Sequence, residues 1–169
     1  LRDARKHISH VAHQAREHLH FGNPHWVRGG KYLYQSIPGL CIGKRDINTR
    51  WNLFREALQR QGVSVEGSVV LDVGCNAGMI LYSALTDGAA WAVGWDRPQV
   101  AAAATKLLLS LGVTRFDIYG EDISSEPAFL LPLPHTVGLG TDSILFYLSM
   151  RKHIGFPDCV RRLPFKYMV

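Results

Sequence analysis

The chain reads as an α/β protein with an open, doubly wound, mostly parallel sheet of Rossmann-like type and an N-terminal helical extension. Three observations predict it. From residue 68 onward short apolar runs alternate with helical patterns. The run Val69-Val70-Leu71-Asp72-Val73 passes directly into Gly74-Cys75-Asn76-Ala77-Gly78, a strand feeding a glycine turn and then a helix. Acids stand at the ends of three successive strand-like runs, Asp72, Asp96 and Asp122, the layout that grips an adenosine-containing ligand at the carboxyl edge of a parallel sheet.

The elements follow in order. Ala4, Ile8, Val11, Ala12, Ala15 and Leu19 recur at helical spacing, so residues 2 to 20 form an amphipathic helix, ended before Gly22-Asn23-Pro24. His7, His10, His13, His18, His20 and His25 crowd this opening region. They spread around its polar side without an acidic or thiol partner, which reads as a solvated, pH-sensitive face and not as a metal site. Residues 22 to 49 are rich in glycine and aromatics and are read in two ways, as a lid over a pocket or as a packed connection. Asn48-Thr49 opens a helix carrying Trp51, Leu53, Phe54, Ala57 and Leu58, stopped near Gly62.

Then come a strand at 68–73, a helix at 77–86, a strand at 90–95, a helix at 98–111 and a strand at 114–119. Further strands are read at 143–148 and 165–169. Right-handed crossovers between parallel strands follow from this order. Two regions result: a helical and aromatic lead-in over 1–60, and a ligand-binding α/β region over 61–169.

Composition narrows the function. The 169 residues suit one domain, and the 47% hydrophobic content is ordinary for a soluble protein. No apolar run reaches the roughly 18 residues that cross a bilayer, and the first residues lack the apolar centre of a secretory signal. Residues 1 to 60 hold 11 Lys and Arg against 4 Asp and Glu, a net of +7, whereas residues 61 to 169 carry 8 against 10, a net of −2. The basic half is the candidate for meeting a phosphate, a carboxylate, a sugar nucleotide or RNA, or else a solvated helix face. Cys41, Cys75 and Cys159 are isolated, which argues against a disulfide framework and for a reducing cytoplasm.

The glycine turn carries the chemistry. Gly74 and Gly78 allow a ligand near the backbone, and Asn76 tolerates the dihedrals of such turns. Asp72 lies just before them and would repel a pyrophosphate, so a cationic ligand fits better than a dinucleotide; the turn also lacks the GxGxxG form of dehydrogenases. Asp96 is suited to accept from both ribose hydroxyls, because a carboxylate offers several lone pairs and no donor. Asp122 suits the adenine amino group, with Ile123 as an apolar wall.

Leu71-Asp72-Val73-Gly74-Cys75-Asn76-Ala77-Gly78 resembles the first motif of the class I S-adenosylmethionine-dependent methyltransferases, and the likeness extends over about residues 66 to 169. The resemblance implies that Asp72, Gly74, Asn76 and Gly78 hold the methionine part of S-adenosylmethionine, Asp96 the ribose, and Asp122 with Ile123 the adenine. It puts the fourth motif at Phe146-Tyr147-Leu148-Ser149, with Tyr147 on the site floor. It also implies a seven-stranded sheet whose final hairpin would follow Val169.

More loosely, Tyr34-Gln35-Ser36-Ile37-Pro38-Gly39-Leu40 with Arg45 and Arg50-Trp51 is similar to the lead-in of methyltransferases acting on glycans and small metabolites, and of the tRNA wobble-uridine carboxymethyl-transferring enzymes. An oxygen or nitrogen acceptor must lose a proton, and His153, just past the floor strand, has a suitable ordinary pKa; the alternative is a histidine capping a helix. Arg45, Arg50, Arg151 and Lys152, with Lys44, are suited to orient an anionic acceptor. Tyr34 and Trp51 are read either as ring-stacking residues or as core aromatics. The expected activity is methyl transfer to a small molecule or glycan. The alternatives are a tRNA-modifying transferase using the basic half, and a noncatalytic nucleoside-binding domain.

Overall fold

The structure is a computed structural model that describes residues 6, 7, 10, 34–37, 45–121, 143–146, 158–163 and 165–169. Its elements are α1 (Ile47–Arg60), β1 (Val69–Val73), α2 (Met79–Thr86), β2 (Trp91–Asp96), α3 (Pro98–Ser110), β3 (Phe116–Gly120), β4 (Ser143–Phe146), α4 (Asp158–Arg161) and β5 (Tyr167–Met168). The five strands form one sheet in the order β3-β2-β1-β4-β5, and every pairing is parallel. This is the α/β Rossmann-like arrangement the alternating pattern predicts. None of the described helices is long and apolar enough to cross a membrane.

The strand order decides where a ligand sits. From β1 the chain moves outward through β2 to β3, then returns to the other side of β1 as β4. The reversal opens a crevice above the carboxyl ends of β1 and β4, the switch point where ligands bind in such sheets.

β1 is central and buried along its whole length, which is why it reads as a near-continuous apolar run and not as an alternating one. Its alternate residues divide the core. Val70 faces α1, α2 and α3, together with Trp51, Ile80, Leu81, Ala104, Leu107 and Phe146. Val69, Leu71 and Val73 face the other way, against Trp95, Leu145, Val160 and Leu163. The lead-in belongs to the first of these cores, since Ile37 and Ile47 are buried within it.

Several boundaries differ from the sequence reading. α1 starts earlier than Asn48-Thr49, because Asp46 is its N-cap. Asp46 Oδ1 accepts from the Asn48 N–H at 3.0 Å and Oδ2 from the Thr49 hydroxyl at 2.7 Å. These bonds hold the exposed Asp46 carboxyl below its usual range, the Thr49 hydroxyl having the largest effect. α2 starts at Met79 and not at Ala77, because Gly78 has φ 73° and lies in the turn. β3 starts two residues later than Thr114 and runs to Gly120, where a Cβ would come within 2.8 Å of Pro98 Cα. β5 is confined to Tyr167–Met168. β4 is described as far as Phe146; the expected Tyr147 and Leu148 lie outside the described residues.

Candidate functional site

The glycine turn is built by three positive-φ residues, Gly74 (82°), Asn76 (49°) and Gly78 (73°). Asn76 is the non-glycine residue of this kind among those described, in keeping with the tolerance of asparagine for the left-handed region. The turn is clamped to β2. The N–H groups of Gly74 and Cys75 both donate to the Trp95 carbonyl, at 2.8 and 3.1 Å, and Gly78 N–H closes the turn on the Cys75 carbonyl at 2.9 Å.

The bare Cα positions serve packing. A Cβ on Gly78 would meet Leu108 Cδ1 at 3.0 Å, so α3 packs closely against its bare Cα. A Cβ on Gly94, beneath the turn, would meet Leu81 Cδ1 at 2.8 Å and Cys75 Sγ at 2.9 Å.

Asp72 is buried at 8% exposure near the end of β1, paired across the sheet with Gly94 and Phe146. Burial pushes its carboxyl up to about 7; the nearby Arg50 charge opposes that shift and Asp96 adds to it. Asp72 shares a recess of about 20 Å³ with Gln35, Arg50, Phe54, Gly74 and Phe146.

Asp96 has a task that the sequence reading did not foresee. Its Oδ2 accepts the Asn76 N–H and its Oδ1 the Arg97 N–H, both at 2.8 Å, so one carboxylate ties the glycine turn to the end of β2. Burial raises its pKa, and these two backbone bonds oppose the rise. Each oxygen keeps a further lone-pair direction.

Asn76 itself is buried at 7% exposure, and its Oδ1 is a buried acceptor without a hydrogen-bond partner among the described residues. Such an orphan costs about 1–3 kcal/mol unless a donor reaches it. Cys75, fully buried beside it, is pushed well up by burial first and then by Asp96 and Asp72, which keeps it a neutral thiol.

Other candidates fall in different places. Trp51 is a core aromatic, 5.7 Å from the Phe146 ring, and its Nε1 donates to Asp87 Oδ2 at 2.7 Å; that removes it as a ring-stacking residue in the site. Tyr34 lies under the Arg45 guanidinium, 5.5 Å from the ring centroid. Arg45 is exposed, whereas Arg50 reaches the recess beside Asp72. Asp122, Ile123, Tyr147, Arg151, Lys152 and His153 lie outside the described residues.

The described lead-in packs against the site instead of running free of it. Gln35 and Arg45 form a parallel bridge, and Ser36 Oγ accepts the Ile47 N–H at 3.0 Å. Gln35 is the residue sequence reasoning missed. It is buried at 6% exposure, and its Oε1 accepts the Met79 N–H at the start of α2, 3.2 Å away. The available signal was alternation: Gln35 is two residues from the apolar Ile37, and in extended chain the two share a face.

No family model and no curated protein matches the chain. Solved structures do. One structure of the bifunctional kinase-methyltransferase WbdD matches at 24% identity and TM-score 0.53, over 75% of this chain and 28% of that one. Monomeric WbdD matches at 24% and 0.54, over 79% and 33%. The PRMT1 enzyme-prozyme complex of Trypanosoma brucei, solved with AdoHcy, matches at 24% identity and TM-score 0.41, over 57% and 28%. This chain therefore spans about a third or less of the length of these structures. The two WbdD matches show a shared fold.

Proposed function

We propose that this chain, sharing the fold of WbdD, forms the cofactor-binding part of an S-adenosylmethionine-dependent methyltransferase that methylates an oxygen or nitrogen of a small molecule or glycan. The observation that carries the reading is a pair of polar groups at one turn, the buried Asp72 carboxyl and the Asn76 Oδ1, which has no partner among the described residues. Both are acceptors. A cationic, donor-bearing ligand satisfies them, and an anionic pyrophosphate satisfies neither.

The residues present fit the cofactor. Asp72, Gly74, Asn76 and Gly78 would hold its methionine end and Asp96 the ribose, while Asp122 and Ile123 would meet the adenine. When bound, the cofactor supplies a methyl group already activated by its sulfonium. The protein's share is to orient the acceptor and exclude water, gains that reach roughly 7–11 kcal/mol in well-aligned systems. In this reading Tyr147 closes the floor, His153 takes the acceptor's proton, and Arg45, Arg151 and Lys152 steer an anionic acceptor.

Calorimetry with S-adenosylmethionine and S-adenosylhomocysteine, followed by mass analysis of metabolite pools for a product heavier by one methyl group, tests the proposal. Binding and a methylated product support it. Binding without turnover on any acceptor favours a noncatalytic nucleoside-binding domain, and no binding removes the proposal. Asp96→Ala should weaken cofactor affinity at least 10-fold, the scale of a lost charged hydrogen bond; unchanged affinity would remove Asp96 from the ribose site.

The net +7 over residues 1 to 60 favours a second reading, a tRNA-modifying transferase of the wobble-uridine carboxymethyl type.

A further inference from the structure

Asp72 and Asp96 are close enough to disfavour each other's charge, and the fold treats the two carboxyls differently. Asp96 accepts the Asn76 and Arg97 N–H groups, both at 2.8 Å, and the Arg97 charge at the head of α3 also favours its ionised form. Asp72 is buried at 8% exposure and receives no hydrogen bond from the described residues. Its recess of about 20 Å³ has room for one water-sized group, so solvent does little for a charge there.

Ionising both acids in this space is costly, and the proton belongs on the one that lacks donors. The other groups around Asp72 leave that assignment in place. Among the described residues the cation facing it is Arg50 of α1, which lies over Phe54, 5.5 Å from the ring centroid, and makes no ion pair. Cys75 in the turn is a neutral thiol. Gln35 from the lead-in and Phe146 from β4 bring no charge to the recess. The shift agrees with the geometry: burial pushes the Asp72 carboxyl up to about 7, against Arg50 and with Asp96.

We infer that Asp72 is a neutral acid before the cofactor binds, and that the cofactor's ammonium displaces its proton to solvent, so that rising pH in the neutral range switches the site to its binding-competent form. The switch rests on the methyl-transfer reading above and adds regulation to it. In the step the Asp72 O–H bond breaks, the proton passes to buffer, and the carboxylate left behind pairs with the ammonium. Below the free carboxyl's pKa each binding event releases one proton, and apparent affinity falls tenfold per pH unit. Above it no proton is exchanged and affinity is level.

Calorimetry on the full chain with S-adenosylhomocysteine, which keeps the ammonium, tests this in buffers of differing ionisation enthalpy between pH 5.5 and 8. Close to one proton should be released at pH 6 and about a tenth of one at pH 8, with affinity about 30-fold lower at pH 5.5 than at pH 8. 5′-Methylthioadenosine lacks the amino-acid end and should bind equally well across the range without releasing a proton.

Two variants assign the proton. The chain's eight histidines titrate in the same window, but only an Asp72 effect vanishes in Asp72→Asn, which should bind with level affinity and no proton release. Arg50→Gln removes the opposing cation and should move the midpoint of the affinity profile to higher pH. A slope that survives Asp72→Asn, or a midpoint that Arg50→Gln leaves in place, overturns the inference. So does level affinity in the wild type, or an equal slope for 5′-methylthioadenosine, which would put the proton on Asp96 at the ribose. These outcomes leave the methyltransferase reading intact; failure of S-adenosylhomocysteine to bind at any pH overturns both.

Discussion

Asp72 joins two opposing demands in one side chain. Burial makes its charge costly, and a cationic ligand would need that charge. Its folded pKa stands near 7 against an ordinary 3.8, so between about pH 4 and 7 the folded chain holds a proton that the unfolded chain releases. Without cofactor, stability should therefore fall as pH rises through that window. Asp72→Asn removes the titrating group. The variant should melt at a higher temperature than wild type at pH 8 and show no such fall between pH 4 and 7, while its cofactor affinity drops. Melting curves across pH, with and without S-adenosylhomocysteine, check both arms; a variant less stable than wild type at pH 8 would contradict the burial argument. The spacing of Asp72, Gly74, Asn76 and Asp96 made the glycine turn and the strand ends beside it legible in the sequence. The bond from Asp96 to the Asn76 N–H was not, because it spans 20 residues and depends on how β2 lies beside the turn.

Among the elements, the join between β2 and the glycine turn is closely packed. Gly94 lies in mid-strand without an unusual dihedral, so its role is purely steric: Leu81 and Cys75, both fully buried, lean into the space a side chain would take. Gly94→Ala should cost about 1–3 kcal/mol through overpacking, read as a shift in denaturant midpoint. It should also weaken cofactor binding, since one of the two atoms displaced belongs to Cys75 in the turn. A stability change below 0.5 kcal/mol would show that this interior yields more easily than close packing allows. The helix boundaries carry the same lesson. Asn48-Thr49 pointed to the right helix and the wrong cap, because Asp46 and Thr49 cap it together and a pattern of apolar residues does not register a polar clasp.

Over the whole molecule, charge separates the competing acceptors. Part of the basic half is already engaged: Arg55 pairs with Asp87 at 3.3 Å, and Arg45 and Arg50 lie over aromatic rings. If the acceptor is a small molecule or glycan, binding to tRNA should be nonspecific, weaken by orders of magnitude between 50 and 200 mM salt, and yield no methylated RNA. Filter binding at the two salt concentrations with mass analysis of the RNA checks this. Tight binding that survives 200 mM salt and leaves a modified uridine would favour the tRNA reading.

Sequence alone determined the parallel α/β class, the glycine turn and the acidic strand ends. These rest on local features: period, glycine at required dihedrals, and the run of apolar residues that a central strand must have. Tertiary structure decided the rest. It brought Gln35 across 44 residues to the start of α2 and set Arg50 opposite Asp72. It also gave Leu108 the space beside Gly78 and made Trp51 part of the core. The physical reason is that burial and charge pairing belong to places in the fold, and a place is shared by residues that no sequence interval connects.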